Sequence, residues 1–236
     1  MLALAVGILT AFVAAALLLA SRDGQRPLGP RADADKPQLM LLTSLPLVFP
    51  ETFGLDGGSP ALTSLRTRYR VVPIAVADAE NLRQGKLLFM AHARAQPAEA
   101  LVELDQWVRA GGGLLLLADP ALEWPSARPL GDPLRPSPMF PDTGLLQHWG
   151  LRLDSPEERG PVNAFVGRRQ VLTLSPGKLT GRCRVASDQV VARCHIGSGS
   201  VTVIADADFL DVLTLGEGAE ANLDGLLSEL DALERE

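Results

Sequence analysis

Lys86–Asp119 reads KLLFMAHARAQPAEALVELDQWVRAGGGLLLLAD, and the fold turns on it. The runs LLFMA and LLLLA are short, unbroken and apolar, the pattern of strands buried on both faces. Between them Leu101, Leu104, Trp107 and Val108 recur at helical spacing. Pro97 fits the first helical turn, Glu99 and Glu103 lie toward the amino end, and Gly111 stops the run. Strand, helix and strand in this order make a parallel pair with a crossover, which calls for a sheet covered by helices on both faces.

The pattern extends outward. QLMLLTSLPLVF begins with another buried strand, RYRVVPIAV is a strand whose Pro73 suits a sheet edge or a bulge, and SVTVIADADFL is a final buried strand running into a helix start. DTGLLQHWG reads as a short helix capped by Asp142 or Thr143, and QVLTLS, RCRVA and QVVARCHI read as antiparallel strands. NLDGLLSELDALERE closes the chain as an amphipathic helix with Leu223, Leu226, Leu227, Leu230 and Leu233 on one stripe. The core must be aliphatic, because 47% of the 236 residues are hydrophobic but only 5% are aromatic. A net charge of −6 gives no footprint for nucleic acid.

Leu2–Ala20 carries no charge. At about 1.5 Å per residue it reaches about 28 Å, close to the hydrocarbon thickness of a bilayer. It is longer than a usual secretory core, and Leu18 occupies a place where cleavage wants a small residue. Residues 1–20 are therefore expected as an uncleaved transmembrane anchor, with a signal peptide as the alternative. Residues 21–36 are expected as a charged Gly/Pro linker, and 37–236 as the α/β domain. Arg22, Arg26, Arg31 and Lys36 follow the span, so the positive-inside rule alone keeps the domain in the cytoplasm.

The two cysteines bear on the compartment. A two-residue loop at Asp188 and Gln189 sets Cys183 opposite Cys194, where a disulfide would imply an oxidising compartment. That loop makes them a hydrogen-bonded pair, which is less suited to bridging, so two buried thiols remain the alternative.

The chemistry is defined as much by what is missing. Gly111-Gly112-Gly113 and Gly197-Ser198-Gly199 precede strands rather than helices, so they are turns and not phosphate loops. His92, His148 and His195 lie far apart, there is no HExxH, CxxC or GxSxG, and no cofactor is implied. What remains sits at the carboxyl ends of the strands, where open α/β sheets bind ligands. These are Thr43, Ser44, His92, Asp119, Asp206 and Asp208. The long proline-rich loop after Asp119 adds Glu123, Trp124, Asp132 and Arg135. A loop of that length with so much apolar content reads as an ordered lid or docking surface. Asp119, Asp206 and Asp208 could gather on a divalent cation for hydrolysis, or could serve as helix caps near Phe209.

VELDQWVRAGGGLLLLADPAL, taken with GSGSVTVIADADFL, resembles the extracytoplasmic auxiliary domains of gliding-motility-type ABC transporters and related domains of unknown function. The resemblance covers roughly Pro37 to Leu213, and the second motif is the more specific. Asp119-Pro120, Asp206, Asp208 and Phe209 match by position, and Thr43-Ser44 matches loosely. The resemblance implies an α/β sheet similar to that of class I glutamine amidotransferases (or flavodoxin-like), without catalytic residues. The nucleophile's place, Met90–Ala95, has no Cys or Ser. It also implies an exported domain that binds a membrane-protein partner or a small polar ligand without catalysis, against the charge rule. The chain departs from larger family members in its short length and single amino-terminal span. The sequence expectation is a membrane-anchored α/β envelope protein, with an added antiparallel hairpin and an N-terminal transmembrane helix. A metal-dependent hydrolase is the rival.

Overall fold

A computed structural model describes residues 27–49 and 58–236. In chain order the elements are β1 (Gln38–Thr43), α1 (Pro60–Arg68), β2 (Arg70–Pro73), α2 (Ala79–Leu82), β3 (Leu87–Ala91), α3 (Ala98–Arg109), β4 (Gly113–Leu117) and α4 (Leu145–His148). There follow β5 (Leu151–Asp154), β6 (Pro161–Val166), β7 (Arg169–Leu174), β8 (Lys178–Gly181), β9 (Arg184–Val185), β10 (Val191–Ile196), β11 (Gly199–Ile204), α5 (Val212–Leu215) and α6 (Asn222–Glu234). A seven-stranded sheet runs in the order β2-β1-β3-β4-β11-β10-β9. Its first five strands are parallel, and β10 and β9 continue it antiparallel. β5 pairs with β8 and β6 with β7 as two small antiparallel ribbons.

The buried strands divide their side chains by alternation. Leu39, Leu41, Leu87, Phe89, Leu115 and Leu117 pack on the face covered by α1 and α6. Met40, Leu42, Leu88, Met90, Leu114 and Leu116 pack on the other, against Leu104 and Val108 of α3 and Leu145 and Leu146 of α4. The stripe of α6 buries Leu226, Leu227, Leu230 and Leu233, with Leu223 partly covered. Pro73 ends β2 at the sheet edge, where a missing donor costs no ladder bond.

Several elements differ from the sequence pattern. The short α1 is held by Ser59, whose side chain accepts the Leu62 amide at 3.1 Å, and by Pro60 in its first turn. Neither Asp142 nor Thr143 caps α4; Gly144 precedes it at φ 94°, and Asp142 accepts the Gly144 amide in a turn. The segment read as linker is described from Pro27, and there it lies along α1 and α6. The Arg31 amide donates to the Thr67 carbonyl at 2.9 Å, and its guanidinium reaches Asp231 at 3.1 Å and Glu234 at 2.8 Å. The apolar run at 2–20 falls outside the described residues, and among the described residues no helix is long and apolar enough to cross a membrane.

Cys183 and Cys194 are joined by a disulfide, Cα to Cα 4.8 Å. Arg184 pairs with Arg193 and Val185 with Ala192, the same alignment as the sequence arithmetic gives. The hydrogen-bonding phase is different. Gln189, at φ 60°, donates to the Ala186 carbonyl, and Ala186 donates to Val191 at 2.8 Å. The loop therefore closes at Ala186 and Val191. Three rungs along, Cys183 and Cys194 fall on a non-hydrogen-bonded position, where opposed Cα atoms approach to about 4.5 Å. Replacing both cysteines with alanine should lower the unfolding free energy in urea by about 2–3 kcal/mol. An unchanged midpoint would mean that strand pairing alone holds this edge.

Candidate functional site

β1, β3, β4 and β11 are parallel, so their carboxyl ends share one side of the sheet, and the chain just beyond each carries a polar residue. β1 lies between β2 and β3, so the strand order reverses here, the usual ligand crevice of such sheets. The Thr43 hydroxyl donates to the Ala91 carbonyl at 2.9 Å and accepts the Leu45 amide at 2.9 Å. The Ser44 hydroxyl donates to the His92 carbonyl. Both donors are committed to joining the two strand ends.

His92 is buried at a left-handed φ of 47°, and its amide donates to Leu117 at 3.1 Å. Burial pushes its pKa down, so the ring is neutral. Nε2 lies 2.9 Å from the Ser137 carbonyl, which can only accept, so Nε2 carries the proton and Nδ1 is left without a partner. His92 fastens the long loop from beneath and is not open to a ligand.

The loop after Asp119 is an ordered cover. Its stem closes through Phe140 N–H to the Asp119 carbonyl at 2.6 Å and Leu122 N–H to Pro138 at 3.0 Å. Its tip is shaped by Asp132, which accepts the Leu134 amide at 2.7 Å and faces Arg128 at 3.7 Å, and by Arg135, which donates to the Arg128 carbonyl. Asp132 and Arg135 are thus turn residues of the tip, and the half-buried Trp124 packs on the α1/α6 core. Leu130, Leu134 and Met139 remain exposed.

Asp119, Asp206 and Asp208 do come together: one oxygen of each lies within 4.8 Å of the others, and all three residues are buried. Each is engaged. Asp119 accepts the amides of Ala121 at 2.8 Å and Ala207 at 2.9 Å. Asp206 takes the Thr173 hydroxyl at 2.6 and 2.7 Å and the Phe209 amide at 3.1 Å, inside the short turn of helix at Asp208–Leu210. Asp208 accepts the Glu123 amide at 2.9 Å, and the Glu123 carboxylate accepts from Ser175. Burial pushes Asp119 up to about 6 and Asp208, with Asp119 beside it, up to about 8. Asp206 is raised well above the ordinary carboxylate range by burial first and by Asp119 second. Such a group holds protons at neutral pH, or a small divalent cation in their place.

The sequence reading does not find Thr173, Ser175 and Asn222, which complete this polar interior. Asn222 bridges the Leu172 carbonyl at 2.8 Å and the Phe209 carbonyl at 2.8 Å. Thr173 stands at an inward-facing strand position, but nothing local marks Asp206 as its partner. Arg94 also lies outside that reading. It lines a cleft of about 420 Å3 at the ends of β1 and β2, together with Leu41, Thr43, Leu45, Ile74 and Leu134.

No family model and no curated protein matches the chain. Among solved structures, it is similar to an exo-β-1,4-mannosidase of Opitutaceae bacterium strain TAV5 at TM-score 0.52 and 14% identity, over 83% of this chain and 36% of that one. This chain therefore spans about a third of the mannosidase. Cytoplasmic Protein STM1381 from Salmonella typhimurium LT2 is similar at TM-score 0.54 and 14% identity, over 83% of this chain and 99% of that one. A ThuA-like protein of Parabacteroides merdae ATCC 43184 is similar at TM-score 0.44 and 10% identity, over 84% and 90%. At such identities the likeness to the first two is one of fold, a helix-flanked and largely parallel sheet.

The raised carboxylates set a pH dependence. A carboxyl held near 8 in the fold and near 3.9 unfolded contributes stability that is complete below about pH 4 and lost as pH rises through the folded value. Asp119 adds the same trend through about pH 6. In chelator-containing buffer the melting temperature should fall from about pH 5 to 9, and Asp208→Asn should flatten the fall. A melting temperature that climbs over this range would sink the reading of shared protons.

Proposed function

We propose that this chain is a membrane-anchored, non-catalytic envelope protein that docks a partner protein on the strand-end side of its sheet. The observation that carries this reading is the apolar cover there. Phe49 is 84% exposed, Leu130 79%, Leu134 60% and Met139 61%, and Leu134 and Phe49 border the 420 Å3 cleft. Large exposed apolar side chains, three of them on the loop after Asp119 and Phe49 on the segment after β1, mark an interaction surface, because water penalises each of them. A small polar ligand in the cleft beside Arg94 is the narrower form of the same reading.

The sheet is read as amidotransferase-like, and the turn after β3, His92–Arg94, carries neither Cys nor Ser. The disulfide supports an exported domain, because such bonds persist in oxidising compartments. A transporter-accessory role rests on the motif resemblance alone. Photo-crosslinkers placed at Leu130 and Met139 in intact cells should give one shared adduct, absent from a control position at Gln170. No adduct from either loop position would end the docking proposal.

A second reading, a metal-dependent hydrolase, is favoured by the 4.8 Å grouping of Asp119, Asp206 and Asp208. Titration with Mn2+ or Mg2+ separates the two. Binding of one ion that Asp119→Asn abolishes would favour the hydrolase, and heat-silent titration with an unshifted melting temperature would favour the binding module.

A further inference from the structure

α6, the β6–β7 turn and the β9–β10 edge enclose a cleft of about 540 Å3 that shares no lining residue with the cleft under the cover. Its walls carry Arg168, Arg169, Arg184, Arg193 and Arg235, in a chain of net charge −6. Three carboxylates share it, and each has a partner: Asp224 faces Arg169 at 4.0 Å, Glu229 pairs with Arg193, and Asp231 pairs with Arg235 and, at 2.7 Å, with Arg68. The guanidinium groups of Arg168 and Arg184 make no hydrogen bond or ion pair among the described residues. Arg168 stands at the tip of the β6–β7 turn, beside Gly167 at φ 66°. Arg184 lies directly opposite Arg193 across the β9–β10 pair. Like charges at opposed positions weaken a strand pair, and Glu229 relieves only one of the two. Phosphate groups seated on Arg184 and Arg168 would neutralise their unpaired charge.

The course of the chain says which phosphate. Half-buried Leu28 lines this cleft, and only seven residues separate it from the uncharged run at 2–20. Residues 21–27 can reach at most about 25 Å when fully extended. If the apolar run sits in a bilayer, as the functional reading above has it, the arginine cleft is the part of the domain held nearest the headgroups. We infer that this cleft is a docking surface for anionic phospholipid, seating lipid phosphates on Arg168 and Arg184. Juxtamembrane arginines gain from a negative lipid surface, and the gain is confined to about a Debye length, as this tether requires.

The test uses the full chain in nanodiscs of phosphatidylcholine, with and without phosphatidylglycerol, read by amide hydrogen exchange. Exchange at 166–169 and 182–185 should slow when phosphatidylglycerol is present and return in high salt. Arg168→Gln with Arg184→Gln should lower the docking equilibrium by about thirtyfold, abolishing the slowing, whereas lysine at both positions should retain most of it. Unchanged exchange in β3 and β4 checks that the variants fold. Equal exchange in both lipids overturns the docking surface and leaves the anchor standing. Slowing by inorganic phosphate in pure phosphatidylcholine overturns the lipid assignment in favour of a soluble anion. A chain that does not enter nanodiscs overturns the anchor and the docking together.

Discussion

Carboxylates cannot be buried next to one another at neutral pH unless something takes up their charge, and this fold buries three. The response is local and covalently inexpensive: protons are retained, and backbone amides and a threonine hydroxyl fill the remaining lone pairs. Because the amides come from distant segments, the solvation problem becomes a long-range clasp. The Asp119 carboxylate bonds Ala207 across 88 residues, and Asp208 bonds Glu123 across 85. The ends of β4 and β11 are thereby fixed to the first turn of the loop that leaves β4. That loop's path over His92, and hence the shape of the cover, follows from where its first residues are held.

The strand-end side consequently has two zones with different physics. Beneath the cover lies a closed polar interior built from Asp119, Asp206, Asp208, Thr173, Ser175 and Asn222, with no side chain left to meet a visitor. Outside it lie the cover's own leucines and a cleft bordered by Arg94 and Arg128. On the docking proposal, recognition on this side falls to the outer zone and rigidity to the inner one.

How much of this was legible varied with how local the cause was. The β3–α3–β4 unit could be read because unbroken apolar runs and a 3.6-residue stripe are properties of adjacent residues. The alignment of Cys183 with Cys194 followed from the hairpin's symmetry, but its hydrogen-bond phase did not, since that depends on the φ of Gln189. The short α1, and the β5, β6 and β8 strands, gave no periodic signal strong enough to see. The aspartates could be nominated from their strand-end positions. Their partners could not, because Thr173 and Asn222 are brought in by tertiary packing. Tyr69 and Arg31 show the same limit: a residue in an apparent linker stacks at 5.4 Å over a core ring, and the sequence around it advertises only charge and proline.

The two rims of the main sheet are both unfit to recruit another strand. On one, β2 is four residues long and ends in Pro73, which offers no amide. On the other, β9 has two residues, and the disulfide locks it to its neighbour just before that pair. A sheet of seven strands would otherwise present long unpaired ladders, the usual template for edge-to-edge association. Copies crowded side by side thus find no long ladder on either rim of this sheet, and what contact they make there falls to side chains.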